Sequence, residues 1–394
     1  MGHVGRLPAE ERDHRLLELL LRQAVSLIAL GRVQEVLDLL LPQQERLDRL
    51  EHRGLAGRYY FLLGRTYGFL GQHEPTARNA ERAIAESRQC GDEATMGKAC
   101  SLLAMQGALS GQARQGIEHG RQAIALLERT DERWWLGQAY WMVGLNYCQM
   151  GEFEPALDAE GRAHAIGEDL GDPRLQTFAA WVSGMIYAAI GEFDAGIAAC
   201  ERALRAAPDP LERAIAAGCL GYAYLEKGDT ARAIPTLERA VQQLAQFRYR
   251  PFLGWFSVFL AEAYRLERKL DRAADLAMQG LVISREANFQ PGVGWAQQAL
   301  GRIASARGLA AEAAAHFDAA RATFTAVHSR YELGRTYLDL AALARAQGNR
   351  DAVTANLRAA HRLFRLLKVD KYVGLTVHLA RQLGVALGED AESR

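Results

Sequence analysis

Apolar and polar positions in this chain alternate with the period of a helix. In the stretch 139–163, Tyr140, Val143, Gly144 and Tyr147 fall at i, i+3, i+4 and i+7, one stripe of a 3.6-residue period. The stripe runs into Gly151, Glu152 and Phe153, and a second amphipathic run then carries Ala156 and Ala163. Glycine ends helices because it adopts the left-handed conformation without steric cost. The spacing therefore predicts helix, tight turn, helix. A single hairpin of this kind cannot cover its own apolar stripe, so it needs neighbours.

The same pattern returns at a shift of 40. Turn glycines stand at Gly31, Gly71, Gly111, Gly151 and Gly191, then at Gly228 after a shorter interval, and the register resumes at Arg268, Gly308 and Gly348. Seven residues before each turn sits a small side chain: Ala24, Gly64, Ala104, Gly144, Gly184, Gly221, Ala261, Gly301 and Ala341. Tyr67, Tyr147, Tyr187, Tyr224 and Tyr264 stand four residues before their turns, and alanine or Gly280 recurs twelve after, from Ala83 to Ala360. Small residues let helices approach closely while the tyrosine fills the wedge beside them. Stacked units of this kind make an all-α solenoid.

Leu63-Gly64-Arg65-Thr66-Tyr67, Val143-Gly144-Leu145-Asn146-Tyr147 and Leu220-Gly221-Tyr222-Ala223-Tyr224, each followed by its turn and a later alanine, resemble the tetratricopeptide repeat. The resemblance covers roughly residues 13–362. It departs in length, because the usual repeat has about 34 residues. Longer repeats occur in tetratricopeptide adaptors and in the helical sensor regions of bacterial signalling ATPases, which the chain also resembles. HEAT-type repeats have a similar length, but the small-then-Tyr spacing fits them poorly. The implied fold is a right-handed superhelical solenoid of about nine helix-turn-helix repeats plus a C-terminal capping helix. The expected divisions are an N-terminal segment 1–12, a continuous solenoid 13–369, a capping helix 370–386 and a polar tail 387–394. Ala207-Pro208-Asp209-Pro210 marks an irregular junction, because proline cannot continue a helix.

Composition narrows the function. The 394 residues contain 47 basic and 47 acidic side chains, which argues against a nucleic-acid or membrane-surface role. None of the five cysteines forms a CxxC pair, and reduced thiols at helical core positions suit a cytoplasmic protein. The start of the chain lacks a signal-peptide apolar core, and no apolar run reaches the length of a membrane span. Gly91 to Lys98 imitates a phosphate-binding loop, but it has one residue too many between its glycines, and Ala99 stands where the motif needs Ser or Thr. The histidines lack ligand spacing, Ser183 lacks a nucleophile-elbow context, and Glu152 and Glu154 flank a solvated turn. No catalytic, metal or cofactor site is expected.

The remaining candidate is the inner surface. With the turn numbered 15 in each helix-A unit, positions 4, 7, 8 and 11 face helix B, and positions 2, 5, 9, 12 and 13 fall nearly opposite. The resemblance implies that the second set lines a concave groove. Position 5 holds Phe61, Trp141 and Trp181; position 2 holds Phe178, Trp255 and Trp295; position 9 holds Met105, Leu145, Met185 and Tyr222. Large aromatics at helical spacing are often core. Because positions 4, 7, 8 and 11 already supply a core, an exposed aromatic wall that binds a partner is the favoured reading. On the same face, Arg58, Arg65 and Lys98 lie toward one end and Arg265, Arg302, Arg335 and Arg345 toward the other. Only Glu18, Glu226 and Glu262 oppose them. The expected function is a non-enzymatic scaffold or adaptor whose partner is a protein or peptide segment. Its apolar anchors would meet the aromatics, and its acidic flanks would meet Arg65, Arg265 and Arg302. The alternative is a sensor module that binds a small molecule or signal peptide and controls a separate effector. Either is compatible with a homo-oligomer.

Overall fold

The computed structural model describes residues 8–247 and 249–387. Most of the N-terminal segment and all but one residue of the polar tail lie outside the described residues. Within them every regular element is helical. All nine expected turns are present, and each turn residue is left-handed, from Gly31 (φ 72°) to Gly348 (φ 72°), with Arg268 at φ 60° where glycine is missing. The helix ends close by a shared hydrogen-bond pair. At Gly151 the glycine N–H donates to Cys148 O (3.0 Å) and the Glu152 N–H to Tyr147 O (2.9 Å). At Arg268 the N–H groups of Arg268 and Lys269 reach Arg265 O and Tyr264 O, both at 3.0 Å. The tyrosine four residues before the turn thus supplies the carbonyl that receives the closing bond.

The chain forms two compact units. The first comprises residues 1–108 and 114–143. It contains α1 (Ala9–Ala29), α2 (Val33–Leu40), α3 (Gln44–Leu50), α4 (Arg53–Phe69), α5 (His73–Cys90), α6 (Glu93–Ser110), α7 (Ala113–Leu127) and the start of α8 (Arg133–Met150). The second helix of the first repeat is interrupted at Leu41–Gln43, a short 3₁₀ segment containing Pro42. Proline removes a helical donor and clashes with the preceding turn. The core of this unit gathers Leu17, Ala24, Leu40, Leu55 and Tyr59, and the Tyr59 hydroxyl donates to Leu40 O at 3.0 Å.

The second unit comprises residues 109–113 and 144–394. It opens with α9 (Phe153–Leu170) and continues as the hairpins α10 (Pro173–Ile190) with α11 (Phe193–Ala206), and α12 (Pro210–Lys227) with α13 (Thr230–Phe247). They continue as α14 (Arg250–Leu266) with α15 (Leu270–Glu286), α16 (Gln290–Ala306) with α17 (Ala310–Ala326), and α18 (Arg330–Ala346) with α19 (Arg350–Leu366), followed by α20 (Asp370–Leu383). The irregular junction takes a definite form: α11 has 14 residues where α9 has 18. Asp209 accepts the Glu212 N–H at 3.0 Å and Pro210 opens α12, so the next helix starts early.

Four of the glycines seven before a turn, Gly144, Gly184, Gly221 and Gly301, face a side chain nine after it. A Cβ on Gly184 would stand 2.4 Å from Cys200 Sγ, and one on Gly221 or Gly301 would stand 2.6 Å from Leu237 or Phe317. In one repeat the facing residue is Glu160, whose carboxylate oxygen would lie 2.2 Å from a Cβ on Gly144. Glu160 is 1% exposed, and neither oxygen has a hydrogen-bond partner among the described residues. Burial raises its carboxyl well above the ordinary value of 4.5. Glu160 therefore holds a proton in the folded chain that it releases in the unfolded one, so this group costs least below pH 4.5, and its cost grows as pH rises from there toward the raised folded value. Glu160→Leu, which recreates the Gly221–Leu237 pairing, should stabilise the second unit at neutral pH by about 1–3 kcal/mol. Urea unfolding at pH 5 and pH 8 checks this: the wild type should lose more stability over that interval than the variant, and equal losses would refute it.

The second unit also closes on itself. Tyr331, at the start of α18, packs edge-on against Phe153 with centroids 5.1 Å apart, and its hydroxyl donates to Ala189 O at 3.1 Å. Ser329 Oγ donates to Gln149 O at 2.8 Å, and Lys368 reaches Glu154 at 3.0 Å. Gly151 makes room for this contact, since a Cβ there would stand 2.7 Å from that of Tyr331.

Candidate functional site

The inner face of the second unit changes character along the chain. Position 9 reads Leu145, Met185, Tyr222, Glu262 and Arg302 in successive repeats, and position 2 runs from Trp255 through Trp295 to Arg335. The apolar part is filled. Trp181 is 1% and Trp255 6% exposed, and Phe178, Met185, Leu145 and Tyr222 are buried with them. Trp255 stacks on Trp295 (centroids 4.9 Å, planes 12° apart), and Phe252 packs against both Trp181 and Trp255. A cavity of only about 50 Å³ remains among Leu145, Trp181, Met185, Trp255 and Tyr331. The expected exposed aromatic wall is thus corrected. Phe252, Phe289 and the returning Tyr331 cover the aromatics that an open groove would have left bare.

In the first unit, Phe61 and Trp141 are buried and Met105 is half-buried. Arg65 lies over the Trp135 ring at 5.0 Å, and Phe61 meets the same ring edge-on at 5.3 Å. Lys98 pairs with Glu132, and Arg58 stands 3.8 Å from Glu18.

The charged part of the inner face is open. A pocket of about 860 Å³ lies among α12, α14, α16, α18 and α20, with Tyr222, Phe259 and Trp295 on its apolar side. Arg302 donates to both oxygens of Asp339 at 3.0 Å and to Glu262 at 3.2 Å; Arg265 also reaches Glu262, at 3.0 Å. Arg335 and Lys371 each hold one oxygen of Glu226 at 3.1 Å. Gln298 bridges Asp339 (3.0 Å) and Thr336 (3.2 Å). The expected excess of positive charge is therefore corrected here. Four basic residues, Arg265, Arg302, Arg335 and Lys371, meet four acidic ones, Glu226, Glu262, Glu332 and Asp339.

Burial pushes all three glutamates upward, but only one yields to it. Arg335, Lys371 and Arg302 hold Glu226 below its ordinary value, and Arg302 and Arg265 do the same for Glu262. Glu332 is raised, because burial outweighs Arg335, whose guanidinium stands 3.7 Å away. Of the thirteen residues expected at the site, the structure brings Tyr222, Arg265, Trp295 and Arg302 together around this pocket. Glu332, Asp339 and Lys371 were missed. A signal existed in the register, since Tyr331-Glu332 and Lys371-Tyr372 stand 40 apart at the start of successive inner helices.

A tetratricopeptide repeat family model matches residues 179–210 and 220–243. No curated protein sequence matches the chain. Among solved structures, a Rap protein complexed with competence and sporulation factor is similar over 90% of this chain and 99% of its own, with TM-score 0.72 and 13% identity. The apo form of the quorum sensor NprR from B. thuringiensis is similar over 90% and 98%, with TM-score 0.57 and 13% identity. The apo form of RapI is similar over 90% and 98%, with TM-score 0.55 and 14% identity. With these likenesses and the repeat geometry together, the fold is an all-α tetratricopeptide-repeat solenoid. This is a fold class suited to binding proteins and peptides.

Proposed function

We propose that the chain is a non-enzymatic regulatory module that binds a short peptide in the charged pocket of its second unit and acts on a separate effector. The observation that carries this reading is the pocket itself. Its volume of about 860 Å³ lies within the range of sites for compact ligands, roughly 300–1,000 Å³. Burial of Trp181, Trp255 and their neighbours closes the apolar stretch on which an extended partner segment was expected to lie, which favours the sensor reading over the open scaffold. Balanced charge favours a ligand carrying both signs. Acidic groups on the ligand would exchange with Asp339 and Glu262 on Arg302, and a cationic group would take over the carboxylate released. Apolar anchors would lie against Trp295, Phe259 and Tyr222. Two of the structures sharing the fold, a complex with a competence and sporulation factor and a quorum sensor, make signal peptides the first ligands to test. A cytoplasmic setting belongs to the same reading and is supported by five unpaired thiols.

The test is a screen of a defined pentapeptide-to-decapeptide library against the full chain, read by intrinsic tryptophan fluorescence and equilibrium dialysis. A zwitterionic, apolar-anchored peptide should bind, and Trp295→Ala should weaken it by about 2 kcal/mol or more, as for a central hot spot. Peptides that bind the folded Trp295→Ala and Arg302→Gln variants as well as the wild type would remove the pocket from consideration.

A further inference from the structure

A second recess lies on the opposite side of the repeats, beside the shortened α11. From the geometry we infer a docking groove for a short amphipathic helix of a partner protein, apolar on one face and acidic along its flanks. The proposal is independent of the inner pocket.

In register with α9, helix α11 would continue to residue 210, but it stops at Ala206, about one helical turn early. Beside that end lies a recess of about 730 Å³ between α11 and α13, floored by α12. Its floor is apolar: Ala217, Leu220 and Tyr224 present their edges there, and Leu204 and Pro235 add to the walls. Pro235 sits inside α13 and brings no amide hydrogen, so the Ala231 carbonyl one turn earlier, also at the recess, loses its usual helical donor.

The rim carries one sign of charge. Arg205, Arg213, Arg232 and Arg239 line the recess and are all exposed, and no Asp or Glu lines it. Arg232 is held by Asp229 at 2.5 Å and lies over the Tyr224 ring at 4.5 Å. Arg205 stands 3.9 Å from Glu201. Arg213 and Arg239 have no ion-pair partner among the described residues. In a chain whose charges otherwise balance, and beside an inner pocket where every cation meets a carboxylate, this is a local surplus.

The occupant follows from these two features. A site for a nucleic-acid backbone needs a basic track with little apolar floor, and here the guanidinium groups surround an apolar slot. An acidic extended peptide would use the rim but leave the slot empty. A helical turn bearing one or two large apolar side chains would occupy the place of the turn that α11 lacks. Carboxylates on its flanks would meet Arg213 and Arg239.

The experiment uses three fluorescein-labelled probes with the full chain: a sixteen-residue amphipathic Leu/Glu peptide, the Leu/Lys peptide of the same pattern, and a single-stranded oligonucleotide of equal charge. Fluorescence anisotropy should show binding of the Leu/Glu probe alone, weakening as salt rises. Arg213→Glu with Arg239→Glu should reduce that affinity tenfold or more while circular dichroism stays unchanged. Arg22→Glu with Arg88→Glu, an equal charge change on exposed positions of the first unit, should leave it unaltered. The gentler Arg213→Gln with Arg239→Gln serves if the reversal disturbs folding, and it should still weaken binding severalfold. Failure of the Leu/Glu probe to bind, equal binding of the Leu/Lys probe, tighter binding of the oligonucleotide, or indifference to the Arg213 and Arg239 substitutions would each overturn the proposal.

Discussion

Replacing Glu226 by alanine should destabilise the second unit by about 3–5 kcal/mol, the loss typical when one member of a buried ion pair is removed. The Glu226 side chain is 8% exposed and is shared by Arg335 at 16% and Lys371 at 27%. Without it, Lys371 keeps no ion-pair partner among the described residues, and Arg335 keeps only Glu332 at 3.7 Å. Since Arg335 and Lys371 belong to α18 and α20, the damage should appear as loosening of those helices onto α12. Hydrogen exchange resolved by segment is the measurement. Glu226→Ala combined with Lys371→Ala should recover part of the loss, because the stranded charge goes with its partner. Wild-type protection in α18 and α20 of the single variant would show that the triad contributes nothing to closure. Acid should act like the mutation. Burial tends to raise Glu226, but Arg335 and Lys371 hold it low in the folded state, so its stabilising contribution is present above the ordinary carboxyl value of 4.5 and is lost as pH falls through the depressed one.

Tyr331→Ala should cost a similar amount, about 3–5 kcal/mol, as for other large aromatics removed from a core. The side chain is 4% exposed and touches Phe153, Phe364 and Tyr372 as well as the Ala189 carbonyl. Tyr331→Phe should cost less, about 1–3 kcal/mol, because it keeps the ring contacts and removes only the hydroxyl that donates to the Ala189 carbonyl. Guanidinium unfolding of the two variants separates packing from hydrogen bonding. Equal losses would mean that the ring contacts across the closure are weak.

The turns were legible because glycine marks a left-handed residue, and register alone located Arg268. The turns between repeats were harder to see, because Asn288, His328 and Lys368 adopt the same conformation without a distinguishing residue. The helix-A core pattern of small residue and tyrosine was equally direct. Helical periodicity could not show what covers the inner face. Trp181, Trp255 and Trp295 gather at one small cavity, but Phe252 and Phe289 come from neighbouring positions, and Tyr331 returns from a distant repeat. The charge count failed for a related reason. Asp339 lies one position beyond the inner column as counted and Glu332 precedes it, yet both turn into the pocket beside arginines that were counted.

The closure also constrains how many repeats this unit can contain. An open array tolerates gain or loss of a copy, because each repeat touches only its neighbours. Here Ser329 bonds a carbonyl 180 residues earlier, and Lys368 meets a carboxylate 214 residues earlier. Deleting one intervening copy, residues 270–309 for example, would leave every local interface intact yet carry Tyr331 a full step away from Ala189. Closing so large a loop is also entropically late in folding, after the local pairs have formed. Copy number, ordinarily the freest variable in a repeat protein, is therefore fixed here by the geometry of a single seam.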